Sequence, residues 1–184
     1  LILEFPNYLS AETVKEIKET VKSFTPQKKQ ARYNREGNTV LITFIPELKE
    51  LDSKLHKIFI KIQADIVQPK YKPTFESADA GYEYHIYHPK DVCHHHVDGE
   101  MHRAQDNITL LRYASVILHL NTVYEGGELV FPEQNVKIKT EEGKLVIFPP
   151  YGMYSHYTTP SNESREVIVT WFVYNNVNVI TTNI

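Results

Sequence analysis

Cysteine is almost absent from this 184-residue chain: Cys93 stands alone, so no disulfide can close within it. That absence favours a reducing compartment, and a cytoplasmic or otherwise intracellular location is the expectation it gives. No apolar run approaches the roughly 18 residues of a membrane span, and no basic-then-apolar leader is present. The chain opens at Leu1 rather than Met, which leaves a removed upstream segment open. Charge of one sign is lacking too. Lys and Arg total 20 against 23 Asp and Glu, a net charge near -3, which supplies little of the field that a nucleic acid or an anionic membrane rewards. Internal repeats, low-complexity tracts and Gly- or Ser-rich linkers are missing, so residues 1–184 read as one domain, large enough to bury roughly 70% of its unfolded surface. Two Asn-x-Ser/Thr triplets, at Asn107 and Asn162, matter only in a secreted protein.

What is present divides at about residue 80. Ser10 is placed as an N-cap, and Val14, Ile17, Val21 and Phe24 follow at helical spacing with charges on the other face. Thr39–Phe44 reads as a short strand closed by Pro46. Leu48, Leu51, Leu55, Ile58, Phe59, Ile62 and Ile66 keep a period near 3.6, a long helix that Pro69 and Pro73 end. Beyond Gly81, short runs of Tyr, Val, Ile and Phe alternate with turn residues. Strands are expected near 82–88, 93–98, 109–120, 127–131, 136–140, 144–148, 153–158 and 165–174. The fold class is mainly β: a jelly roll, or double-stranded β-helix, over 81–175, with helices in 1–80 as an N-terminal buttress.

Four of the nine histidines, His88, His94, His95 and His96, gather just ahead of Asp98. On a strand, His96 and Asp98 share one face and Val97 takes the other. A third ligand would complete a two-histidine, one-carboxylate set that leaves one side of an octahedral ion open, as at non-haem Fe(II). His156 is the candidate, because it alone lies beyond position 119. His94 shares the face of His96 and competes for the role, whereas His95 faces away; a solvated strand edge is the bland alternative for the trio. Arg165, Val167, Val169 and Trp171 alternate onto one strand face. An inward guanidinium there is suited to a bidentate carboxylate, or else to an ordinary salt bridge with Glu163.

In order along the chain stand Tyr87-His88-Pro89, His96-Val97-Asp98, Arg112 through Asn121, Glu125-Gly126-Gly127-Glu128-Leu129-Val130-Phe131-Pro132, Gly143 through Phe148, His156, and Arg165 through Trp171. With these pieces the chain resembles the 2-oxoglutarate- and Fe(II)-dependent dioxygenases, and among them it is most similar to the prolyl 4-hydroxylase branch. The likeness covers about half the chain; Phe5 to Ser10 also resembles the way family members lead into their first helix.

The resemblance implies an oxidoreductase in which His96, Asp98 and His156 hold Fe(II), Arg165 receives the distal carboxylate of 2-oxoglutarate, and Tyr87 lines the co-substrate pocket. Dioxygen is the oxidant, succinate and carbon dioxide are co-products, and ascorbate is a candidate accessory reductant. The expected reaction is hydroxylation of an unactivated C–H bond, with a proline-containing peptide or protein as the first substrate class and a small metabolite as the alternative. Asp98 favours hydroxylation over halogenation, since related halogenases lack the carboxylate. His119 stands where the family commonly has tyrosine, and a ring N–H there could replace the hydroxyl, more strongly if protonated beside a carboxylate. The Gly126-Gly127 turn is scaffold. Segments 68–80 and 99–108 are candidate lids, with Lys70, Tyr71, Lys72, Tyr82, Tyr84, Arg103 and Arg112 at the entrance. Rival readings are a non-catalytic metal-binding jelly roll, a zinc hydrolase, and an oxygenase acting on nucleic acid. The last usually carries a second arginine where Trp171 stands. No feature fixes the oligomeric state.

Overall fold

The computed structural model describes residues 1–24, 36–73, 77–103 and 108–174. Ser10 caps the first helix, α1 (Ala11–Lys22), its hydroxyl accepting the Thr13 amide at 3.2 Å. Val14, Ile17 and Val21 are the residues it buries. The second helix, α2 (Lys49–Ile62), buries Leu51, Leu55, Phe59 and Ile62. Pro69 does not end it. A π-helical turn, Gln63–Val67, leads into α3 (Gln68–Tyr71), where Pro69 occupies a first-turn position that needs no amide donor. The helix ends at Tyr71, with its C-cap Lys72 in the left-handed region.

The main sheet runs β1 (Leu3–Phe5), β9 (Leu145–Phe148), β6 (Ile108–His119), β11 (Arg165–Tyr174), β4 (Glu83–Tyr87), β2 (Asn38–Leu41). β3 (Ser77–Asp79) pairs with β11, and β5 (Glu100–Arg103) pairs with β6. A smaller sheet has the order β10 (Tyr157–Thr158), β7 (Leu129–Phe131), β8 (Val136–Ile138). Every described pairing is antiparallel. This is the jelly roll. Residues 1–80 contribute more than helices to it: β1 extends the sheet at one edge, β2 closes the other, and β3 lies against the end of β11.

Strand alternation splits the core in two. On β6 and β11, Ala114, Val116, Leu118, Ile168 and Phe172 face outward and pack under α1 and α2. Ile117, Val167, Val169 and Trp171 face inward with Phe131, Ile138 and Phe148, between the sheets. Tyr82 and Tyr84 belong to the outer face: Tyr82 stacks on Phe59, and the Tyr84 hydroxyl donates to Glu166 at 2.7 Å. Both are buried, which removes them from the entrance, and the Tyr71 hydroxyl donates to the Leu1 carbonyl. The Arg103 side chain and position 107 lie outside what is described. The candidate lids contain regular structure, α3 and β3 in one and β5 in the other. No helix among the described residues is long and apolar enough to cross a membrane.

Candidate metal centre

The expected strand at 93–98 is an extended segment rather than a ladder. It faces 152–158, where Gly152–Tyr154 coils into a 3-10 turn, so only isolated pairs form. Those pairs place the site. The amide of His96 donates to the carbonyl of His156 at 3.0 Å, and the amide of His156 donates back to the carbonyl of His96 at 2.9 Å. Cys93 and Thr158 exchange two more bonds: the Thr158 amide donates to the Cys93 carbonyl, and the Cys93 amide donates to the Thr158 hydroxyl. Two histidines sixty residues apart in the chain are thereby clamped with ring centroids 4.3 Å apart. Alternation survives without a ladder, since Val97 is exposed while His96 and Asp98 point inward.

His96, Asp98 and His156 each present a ligand atom within 4.8 Å of the others, and among the described residues they form the one such group. His96 Nε2 lies 3.4 Å from Asp98 Oδ1, close to the roughly 3 Å between neighbouring ligands bonded at about 2.1 Å to one ion. Each imidazole donates its Nδ1–H to a backbone carbonyl, His96 to His94 at 2.8 Å and His156 to Tyr154 at 3.0 Å. That fixes the tautomer and leaves Nε2 as the ligand. Phe131 and Phe148 pack on His156, which is 4% exposed.

The electrostatics match a metal cradle. Burial would raise Asp98, but hydrogen bonds from His96 and Ser115 and the nearby His156 hold it well below the usual carboxylate range. Burial would depress His96, yet its contacts with Asp98 and Cys93 drive it upward. Burial takes His156 down to about 4, ready to bind as neutral imidazole. Asp98 is held from both ends: Ser115 donates to Oδ2 at 2.5 Å, and Arg112 Nη1 donates to the backbone carbonyl at 2.9 Å. Arg112 was expected at the entrance; it is buried, with its guanidinium 3.8 Å above the Trp171 ring.

Arg165 lines the same cavity, is 5% exposed, and lies 4.1 Å over the Tyr87 ring. No described carboxylate pairs with it; Glu163 instead accepts the Tyr124 amide. His119 is fully buried, opposite Val167 across the sheet, and neither ring nitrogen has a partner. Burial first, then Arg165 and Lys144, lowers its pKa to about 3. Its charged neighbours are cations, not the carboxylate that a protonated donor needs, so the ring is neutral. His94 and His95 stay outside, against Glu36 and Ser155.

Sequence reasoning passed over Ser115, Cys93 and His85. Ser115 shares the inward parity of Ile117 and His119, and His85 that of Tyr87, so a period-2 reading would have found both. Cys93 Sγ sits 3.7 Å from His96 Nδ1, a contact made by the turn at 94–95 that no pattern announces.

The donor set suits a ferrous ion, and the unmatched Arg165 guanidinium with the orphaned His119 nitrogens suits a dicarboxylate. The profile of the 2OG-Fe(II) oxygenase superfamily matches residues 82–173. None of the curated protein sequences matches the chain. Among solved structures, a viral collagen prolyl hydroxylase from Paramecium Bursaria Chlorella virus-1, in complex with 2OG, is 19% identical. That match covers 95% of this chain and 96% of the other, with a TM-score of 0.71. A Pseudomonas putida prolyl-4-hydroxylase is 18% identical over 95% and 92% of the two chains, TM-score 0.64. A Trichoplax adhaerens prolyl hydroxylase, in complex with a hypoxia inducible factor oxygen degradation domain peptide fragment, is 17% identical over 94% and 83%, TM-score 0.70.

Proposed function

Since the chain belongs to the 2OG-Fe(II) oxygenase superfamily, we propose that it hydroxylates an unactivated C–H bond of a prolyl residue in a peptide or protein, with Fe(II), 2-oxoglutarate and dioxygen. The reading is carried by the convergence of His96, Asp98 and His156 in a cavity whose lining arginine, Arg165, has no carboxylate partner among the described residues. The prolyl assignment is supported by the named structural neighbours, all prolyl hydroxylases, one of them holding a peptide.

His96, Asp98 and His156 would hold the iron through Nε2, a carboxylate oxygen and Nε2, leaving the opposite positions for co-substrate and dioxygen. Bound together, these supply the oxidative decarboxylation that places one oxygen atom in succinate and the other in the substrate. The protein's own part is geometry and exclusion of water. Arg165 offers a two-pronged grip to a far carboxylate, and Tyr87 stacks under that guanidinium and fixes its plane. His119, neutral, offers one donor and one acceptor. Phe131, Phe148 and Val169 keep the chamber apolar.

The test is mass spectrometry for a gain of one oxygen across a peptide and metabolite panel, with Fe(II), 2-oxoglutarate and ascorbate, and succinate measured in parallel. Oxygen gain on a proline-containing peptide is the expected result. Succinate without peptide oxidation moves the substrate to a small molecule, and no succinate at all refutes the reading.

A further inference from the structure

The turn that carries His156 is tied to the N-terminal part of the chain by contacts that the chemistry above does not use. Tyr151 and Met153 are exposed, whereas Tyr154 is half-buried and, like Ile2, packs against the core between the sheets. The Tyr154 carbonyl accepts the Nδ1–H of His156 at 3.0 Å, so the placement of this turn sets the direction of Nε2. The Tyr154 hydroxyl in turn accepts from the Leu1 nitrogen, and the Leu1 carbonyl accepts from the Tyr71 hydroxyl at 2.8 Å. Three elements far apart in sequence are thus joined end to end, and the last of them points a metal ligand.

Strand register brings these groups together. Leu3 on β1 is level with Ile147 on β9, so the residues ahead of it, Ile2 and Leu1, run on past Phe148, whose ring packs on His156 with centroids 4.7 Å apart. Tyr71 ends α3 and packs with the outer core under the helices, whereas Tyr154 packs with the inner one. Leu1 therefore bridges the two cores at this edge, with one hydrogen bond to each side. The turn itself, Gly152–Tyr154, is a single 3-10 turn, whose own hydrogen-bond geometry is poor. Its position depends on such outside contacts, together with the Gln134 amide that donates to the Met153 carbonyl at 2.5 Å.

We propose that Tyr71 and Tyr154 are positioning residues for the metal: joined through Leu1, they hold the turn whose carbonyl orients His156, and so couple the packing of the N-terminal buttress to metal affinity. The inference rests on the ligand assignment of the preceding subsection. A coupling of this kind is reciprocal. Loosening the N-terminal run or the end of α3 weakens the grip on the ion, and binding the ion steadies that run against β9.

The test removes the two hydroxyls while keeping the rings, and reads binding, not turnover. In anaerobic competition for Fe(II) against a chelating indicator, Tyr71→Phe and Tyr154→Phe are each expected to weaken affinity by about two- to tenfold, the factor that one neutral hydrogen bond supplies. The double variant should be no weaker than the worse single one, because both substitutions cut the same chain of contacts. Tyr84→Phe is the control for a loss that is only structural: its hydroxyl donates to Glu166 on the outer face, so the melting temperature should fall while Fe(II) affinity stays within about 1.5-fold of wild type. Hydrogen exchange on the wild type should slow at residues 2–5 when Fe(II) is added. Either single variant within about 1.5-fold of wild type, a double variant that multiplies the two losses, an equal loss in Tyr84→Phe, or exchange unmoved by Fe(II) overturns the proposal. If Tyr154→Phe does not fold by circular dichroism, Tyr71→Phe and the exchange measurement decide, and both must move as stated. Failure of the wild type itself to bind Fe(II) is a separate outcome, one that overturns the ligand assignment.

Discussion

Ser115→Ala removes one hydroxyl and tests whether the metal cradle depends on more than its three ligands. Ser115 is fully buried on β6 and donates to Asp98 Oδ2 at 2.5 Å, while Oδ1 faces His96 Nε2 at 3.4 Å. Without the hydroxyl, Oδ2 loses the donor that fixes the carboxylate plane. A hydrogen bond to a charged group contributes roughly 1.5–3 kcal/mol, which corresponds to a metal affinity weakened roughly 10- to 150-fold, the range seen when partners of metal ligands are removed. The assay is anaerobic competition for Fe(II) against a chelating indicator, with Ser115→Thr as the control that keeps the hydroxyl. Ser115→Ala binding within twofold of wild type would refute the claim that this bond orients Asp98. A loss shared by Ser115→Thr would point to packing instead.

Arg165→Ala should raise the 2-oxoglutarate concentration needed for turnover by roughly 100-fold, since a charge-assisted fork is lost, and leave Fe(II) binding unchanged in the same competition assay; equal loss of both would make Arg165 structural. His95→Ala should change succinate formation by less than about threefold, because His95 is exposed and meets Ser155 and the edge of the Tyr157 ring outside the cavity; a collapse of activity would exchange the roles of His95 and His96. Acid should destabilise the metal-free protein through His119 and His156. Their folded pKa values of about 3 and about 4 lie below the ordinary 6.5, so below pH 6.5 the unfolded chain binds more protons and stability falls as pH drops toward 4, by up to about 1.4 kcal/mol per pH unit for each group. His96 is shifted the other way, and its contribution is fully present below 6.5 and fades only as pH rises toward 10. Urea midpoints flat between pH 6.5 and 4.5, or no shallower slope in His119→Gln, would contradict this. Gly126→Ala places a Cβ 2.1 Å from the Pro160 carbonyl oxygen at a φ of +74. A cost of about 2 kcal/mol is expected, seen as a melting temperature lower by roughly 4–8 °C; an unchanged melt would mean the turn relaxes freely.

The helices and the jelly roll could be read from residue order because each is carried by a short periodic signal; of the candidate ligands, only the His96-x-Asp98 alternation has one, and His156 came from its place in the chain and from the family resemblance. Ser10 announces a cap, Leu48 to Ile66 a helical stripe, and Arg165 to Trp171 an alternating strand. What escaped was set by pairing between distant segments. The 93–98 segment has a strand's alternation, but its partner at 152–154 coils, and only the partner decides whether a ladder forms. Pro69 reads locally as a stop, yet a π turn upstream shifts the register so that its missing amide is not needed. Tyr82 and Tyr84 read as entrance aromatics because a two-sided sheet gives no local hint of which face the helices cover.

β11 shows why fold and site became legible together. Its odd positions from 165 to 171 carry Arg165, Val167, Val169 and Trp171 into the chamber, and its even ones send Ile168 and Phe172 under the helices. One period-2 pattern therefore fixes the sheet's two faces and aims the guanidinium in the same stroke, and a one-residue slip would undo both. Its neighbours inherit that register: Tyr87 and His85 on β4, His119 and Ser115 on β6, each level with a named residue of β11. The candidate metal ligands are the exception, because none lies on a strand of the main sheet. They hang from two facing segments outside it, and Ser115 and Arg112 are the contacts that tie Asp98 back to β6. Loosening either should therefore disturb the metal before it disturbs the fold, whereas a change at Val167 or Phe172 should do the reverse.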